Sequence, residues 1–207
     1  MSDFEMEIEV AYDASSWVSI PRGWPHEGCS GPRRWVRKVV QEVTERSEEV
    51  TRAQQRYLTH ILTRFSSWGD VDELRYLYLP HVLASPCPLR IQFGFSEGPR
   101  AEALRALASS TDMQLLEPPE TAAFHAEHLG EGIRAVHVSV MPDAEAGTAG
   151  VSRAGGEVVT VWAIYAFRKG PYDFRVSCPV GSLVELVTLM PEIDHFVHGI
   201  DVVPVAT

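Results

Sequence analysis

One stretch constrains the fold more than any other: residues 157–178, EVVTVWAIYAFRKGPYDFRVSC. Residues 158–167 are almost continuously apolar, the pattern of a central strand covered on both faces. Residues 172–178 then alternate. Tyr172, Phe174, Val176 and Cys178 fall on one face, and Asp173, Arg175 and Ser177 on the other. Four residues, Arg168 to Pro171, separate the two runs, so the unit reads as a β-hairpin. A hairpin with a doubly covered strand commits the chain to an antiparallel sheet with layers packed on it.

The remaining segments fit around that sheet. FEMEIEVAY alternates Phe4, Met6, Ile8, Val10 and Tyr12 against Glu5, Glu7 and Glu9, as a half-buried strand does. WVSI is a short apolar run, and PRGWPHEGCSGP must be loop. From Pro32 the period becomes helical, with Trp35, Val36, Val39, Val40 and Val43, then Tyr57, Leu58, Ile61, Leu62 and Phe65. Residues 32–67 can be one long helix or two, with Ser47 a possible second start and Gly69 the end. LRYLYL and PLRIQFGF read as strands, and Pro99 opens a helix carrying Ala101, Leu104 and Leu107. TDMQLLEPPETAAF is mixed, GIRAVHVSVM is a strand, and PDAEAGTAGVSRAGG is a small-residue loop. Ser182 and Glu185 form an S-x-x-E helix start, followed by Leu183, Leu186, Val187, Met190, Ile193, Val197 and Ile200 in helical phase, interrupted only by Pro191. IDVVPV closes as a strand. The expected fold is α+β: an antiparallel sheet of about six strands, a long N-terminal helical region and a C-terminal helix packed on the sheet. At 207 residues it is read as a single domain.

Bulk properties narrow the function. A formal net charge of −10 opposes nucleic acid and anionic membrane as main partners. The acidic, alternating first residues do not read as a signal peptide, and no run approaches the roughly 18 apolar residues of a membrane span. Cys29, Cys87 and Cys178 are odd in number and form no C-x-x-C pair. A reducing cytoplasm is the natural compartment for such a chain.

The strand pair ending in IPRGW, the sheet, the final hairpin and the capped C-terminal helix resemble the Mog1/PsbP-like domain. The resemblance covers both ends of the chain and not residues 32–67. It implies a binding or accessory role without catalysis, and it assigns no site residue. The chain lacks the lipobox cysteine of the lipoprotein members.

Two patterns could carry chemistry. GFSEG, residues 94–98, matches G-x-S-x-G between a strand and a helix, so Ser96 is a candidate nucleophile. His195 or His198 would then be the base and Asp173 or Asp194 the acid. The hairpins after residue 131 argue against the parallel sheet that such hydrolases need, and Ser96 as a helix cap is the plainer reading. Two H-x-x-H pairs, His125 with His128 and His195 with His198, could ligate zinc with Glu127 or Asp194, although three or four ligands must converge. His137 is expected exposed or partly buried, Asp173 and Arg175 are expected to pair across the sheet, and Trp24 and Trp68 are expected to cap a core edge.

PEIDHFVHGIDV, residues 191–202, concentrates Glu192, Asp194, His195, His198 and Asp201 at the end of the last helix. Helical phase puts His195 opposite the core and His198 on its flank, with Asp194 paired to His198 and Gly199 at a left-handed C′ position. The chain is therefore read as a non-enzymatic binding protein with no cofactor, no metal and no catalytic residue. It would act through protein contacts at the 32–67 helical region and the final hairpin, and self-association is possible. A serine hydrolase using Ser96 is the alternative, and a metal protein using the paired histidines is the third reading.

Overall fold

The computed structural model describes residues 6–47, 49–67, 72–109, 114–142, 151–152 and 157–204. Phe4, Glu5, Trp68, Gly69 and most of the small-residue loop therefore lie outside the described residues. The elements run β1 (Met6–Val10), β2 (Trp17–Ile20), α1 (Pro32–Glu45), α2 (Arg52–Phe65), β3 (Leu74–Tyr78), β4 (Cys87–Phe95) and α3 (Arg100–Ser109). Then come β5 (Gln114–Leu115), β6 (Glu120–Ala126), β7 (Gly130–Pro142), β8 (Val151–Ser152), β9 (Glu157–Lys169), β10 (Tyr172–Val180), α4 (Leu183–His198) and β11 (Ile200–Pro204). The chain divides into two compact units, Asp13–Arg90 and the remainder, with β4 passing from one to the other.

In the smaller unit the strand order is β2-β3-β4. Its core joins Trp35, Val36, Val39 and Val43 of α1 to Leu58, Ile61, Leu62 and Phe65 of α2 and to Ile20, Leu77 and Leu79. Fully buried side chains such as Leu62 and Leu77 each contribute about 1.5–3 kcal/mol by leaving water. Trp24 packs on the edge of this core, as expected of it. Residues 32–65 form two helices rather than one. The second start is Thr51, not Ser47: Thr51 Oγ1 accepts from Gln54 N (3.3 Å) and Gln54 Oε1 accepts from Thr51 N (2.7 Å). This reciprocal capping box satisfies amide groups that a break in the helix leaves open.

In the larger unit the order is β4-β10-β9-β7-β5, with β6 also on β7 and β8 on β9. The hydrogen-bonded path counts seven strands rather than about six, and the helices are spread along the chain rather than gathered at its start. Strand β9 has the expected double cover. Trp162, Ile164 and Ala166 pack with Leu104 and Ala108 of α3, while Tyr165, pointing the other way, meets Met190 and Asp194 of α4. The β9–β10 hairpin is tighter than read from sequence. Lys169 pairs with Tyr172, so Gly170 and Pro171 alone make the turn, and Gly170 adopts a left-handed φ of 59°. Val151 and Ser152 fall inside the expected loop but pair with Val159 and Val158 of β9.

Strands β1 and β2 do not pair with each other. Instead β1 pairs antiparallel with β11, joining the described N-terminal and C-terminal segments, and β2 pairs with β3. Helix α4 begins as expected: Ser182 accepts from Glu185 N (3.1 Å), and the Glu185 carboxylate accepts from Gly181 N (2.9 Å). Its buried residues are Leu186, Ile193, Phe196 and Val197. Leu183 and Val187, expected on the core face, are exposed together with Val184 at 78%. Pro191 removes the amide that would bond back toward this first half, and the buried face is broad only beyond it. Gly199 is not in the left-handed region; its φ is −79°. It is needed because a Cβ there would collide with the Ala11 carbonyl, where Ala11 N already bonds to Gly199 O at 2.8 Å. Gly199→Ala should therefore destabilise the fold by about 1–3 kcal/mol through backbone displacement, read as a lower urea midpoint. An unchanged midpoint would mean the β1–β11 junction yields freely.

Candidate functional site

The GFSEG turn is held by a single guanidinium. The tight hairpin places Arg168 and Asp173 opposite each other, so their side chains share a face. Arg168 Nε donates to Asp173 Oδ1 (2.6 Å) and Nη2 to Oδ2 (2.8 Å), with both side chains largely buried. The same guanidinium donates to the carbonyls of Gly98 (2.9 Å) and Glu97 (3.1 Å). Ser96 Oγ donates to Asp173 Oδ1 at 3.0 Å, and Ser96 N donates to Pro171 O at 2.8 Å. The Arg168 hydrogen bonds hold the Asp173 carboxyl below its ordinary range, and those from Ser96 and the Glu97 backbone act in the same direction.

This arrangement joins Ser96 to one of its two predicted acids without a histidine between them. Ser96 does not cap α3 either; the first turn of that helix bonds back to the Pro99 carbonyl. A nucleophile elbow also strains its serine backbone, whereas Glu27 is the non-glycine residue with positive φ among the described residues. The Asp173–Arg168 pair fulfils the cross-strand expectation, and Arg175 donates to Gln92 Oε1 at 3.4 Å.

The histidines are dispersed. His125 Nδ1 lies 3.2 Å from Glu131 and His128 Nδ1 3.7 Å from Asp201, on β6 and the following turn rather than on a helix. His195 is exposed, as helical phase predicts. The His198 ring lies 5.3 Å from that of Phe124. Asp194 does not pair with His198; it accepts from Arg134 Nη1 (2.8 Å) and Tyr165 Oη (2.6 Å). Burial, reinforced by that hydrogen bond, raises the Tyr165 phenol far above its ordinary pKa, so it stays a donor. No group of three His, Cys, Asp or Glu side chains suited to a metal forms among the described residues. The three cysteines are free and buried.

His137 departs most from expectation: it is 1% exposed. It pairs in register with Trp162, on the face covered by α3. Its Nε2 meets no hydrogen-bond partner among the described residues. Burial pushes its pKa below 6.5, opposed by a backbone hydrogen bond at Ala108.

Beside the GFSEG turn lies a groove of about 540 Å³. Gln92, Asp173 and Arg175 form its polar side and Ala103, Ala106 and Leu107 of α3 its apolar wall, while Phe93 and Phe95 border it along β4 with their rings turned to the opposite face of the sheet, that of Tyr172 and Phe174. Sequence alternation placed Leu89, Ile91, Phe93 and Phe95 on one face of β4, and it did so correctly. Leu89 and Ile91 are fully buried, but Phe93 is half-exposed and Phe95 is 77% exposed. Phe95 stacks on Tyr172 (5.1 Å between centroids) and Phe93 on Phe174 (6.3 Å).

Comparison with known proteins adds little to this geometry. No protein-family model matches the chain, and no curated protein does. Among solved structures, LpqN of Mycobacterium tuberculosis, described as involved in cell envelope biogenesis, aligns at 9% identity and a TM-score of 0.38. The alignment covers 98% of this chain and 87% of that one. No helix among the described residues is long and apolar enough to cross a membrane.

Two predictions follow from these contacts. Ser96→Ala should cost about 1 kcal/mol, the worth of one hydrogen bond, and Asp173→Ala more, because it strands the Arg168 guanidinium. Urea unfolding of both variants checks the order; equal effects would remove Asp173 from the centre of the turn. For His137 the unfolded chain binds the proton more readily than the folded one. Its contribution to stability is complete above about pH 6.5 and is lost as pH falls toward the folded-state pKa. The urea midpoint should drop between about pH 7.5 and about pH 5.5, and His137→Gln should flatten that dependence. An unchanged slope in the variant would assign the acid sensitivity elsewhere.

Proposed function

We propose that the chain acts by binding another protein, and that the exposed Phe93 and Phe95 of β4, on the sheet face opposite the groove, form the contact site. The observation that carries this reading is Phe95. It is 77% exposed, stacked on Tyr172, and sits at the end of a strand whose first half is in the core. An aromatic held rigid by its neighbour loses little side-chain entropy on contact, which suits it to anchor an interface. The final hairpin thus serves as the interaction element, and the exposed Leu183, Val184 and Val187 of α4 supply further apolar surface in the same unit.

Affinity capture from native lysate, quantified by mass spectrometry, tests the site. Phe95→Ser removes the anchor, and Phe93→Ser removes its neighbour on the same face. Both should reduce recovery of the same protein by at least about tenfold, equivalent to about 1.4 kcal/mol. Leu83→Ser, exposed in the other unit, should leave it unchanged. Identical recovery by wild type and both variants would sink the assignment. Sedimentation of the pure chain tells a second copy from a different partner.

A further inference from the structure

The chain's net charge of −10 is unevenly distributed. Asp13–Arg90 holds eleven of the 18 lysines and arginines against nine acidic residues, while the remainder holds seven against nineteen. Within the smaller unit, helix α2 contains no aspartate or glutamate at all. Arg52, Arg56, His60 and Arg64 recur every fourth residue along it, and all four are exposed. At about 100° per residue this row lies nearly opposite the buried stripe of Leu58, Ile61, Leu62 and Phe65. Successive members rise about 6 Å along the axis, so the row extends about 18 Å.

No hydrogen bond or ion pair engages these four side chains among the described residues. Lys38 on α1 shows the contrast: it donates to Glu27 at 2.9 Å and lies 4.0 Å from Glu42. A surface helix normally interleaves opposite charges at four-residue steps, which stabilises it. This one carries three arginines, Arg52, Arg56 and Arg64, and no acidic residue, so its charges are of one sign.

We propose that α2 is a docking face for an acidic helix of a protein partner, one that carries carboxylates at every fourth position. Such a helix repeats its carboxylates at the same rise of about 6 Å. Its four-residue ridge lies beside that of α2 in the commonest helix-packing class. Arginine forks engage carboxylates bidentately, and among the described residues no acidic side chain pairs with them. An anionic membrane fits less well, because the apolar face that would enter the bilayer is committed to the core. A nucleic acid fits less well, because the rest of the chain repels a polyanion. The proposal concerns the smaller unit and does not depend on the Phe93 and Phe95 contact site.

The test is fluorescence anisotropy with three labelled probes titrated with the full chain. They are an alanine-rich helical peptide with glutamate at every fourth position, a scrambled peptide of equal composition, and a single-stranded oligonucleotide. Co-sedimentation with phosphatidylserine vesicles supplies a fourth arm. The patterned peptide should bind more tightly than the scramble. The Arg52→Glu, Arg56→Glu, Arg64→Glu triple variant should weaken it at least about tenfold, with binding also falling as salt rises from about 50 to about 200 mM. Equal affinity for the scramble, no loss in the triple variant, or tighter binding to vesicles or oligonucleotide would each overturn the proposal. Circular dichroism confirms that the variant is folded; if it is not, the Arg→Gln triple variant replaces it with the same expected loss.

Discussion

The larger unit depends on the register of β9. That strand has β7 and β10 at its edges and side chains committed to α3 on one face and α4 on the other. A slip of one residue would turn Tyr165 and Phe167 toward α3 and Ile164 and Ala166 toward α4, exchanging the contents of both layers. Two features oppose it. The two-residue turn at Gly170 and Pro171 fixes the pairing with β10, and the Arg168–Asp173 pair forms only in that register. The GFSEG turn inherits its shape from the same pair, because Arg168 and Asp173 supply its hydrogen bonds. What looks like a catalytic motif in one dimension is, in three, an extension of hairpin closure.

That dependence explains what could be read in advance. The continuous apolar run and the alternating run identified β9 and β10 and their faces, since both patterns follow directly from the two-residue period of a strand. The role of Arg168 was hidden by two residues of turn length: counted as loop, it has no partner, and counted as strand, it faces Asp173. Gly199 was recognised as special for the wrong reason. A left-handed cap is a local property, while its actual constraint is the Ala11 carbonyl, nearly two hundred residues away in sequence. The burial of His137 is non-local too, because alternation reports which face a residue takes and not that α3 covers that face.

Strand β4 shows the same limit from the opposite side. Leu89, Ile91, Phe93 and Phe95 are equivalent in the alternation, yet the first two are enclosed and the last is open. Nothing in the pattern marks where the covering layer ends. The candidate site arises at that edge, where Phe93 and Phe95 extend beyond the enclosed half of β4. The Asp194 cluster is a third case. Its partners Arg134 and Tyr165 come from neighbouring strands, β7 and β9, paired in register, so only the sheet order brings them to the helix.

Net charge is the coarsest of these one-dimensional quantities. A value of −10 describes the far field and opposes condensation on polyanions as a whole. Screening shortens the range at which that field acts to about 8–10 Å at physiological salt. A contact face is comparable in size to that length, so it responds to the charges it carries and much less to those of the distant surface. The arginines of α2 are therefore free to act as a local cationic row within an acidic chain. Their helix is kept in place by Leu58, Ile61, Leu62 and Phe65 rather than by its charges, so the row can persist without an acid within the helix to compensate it.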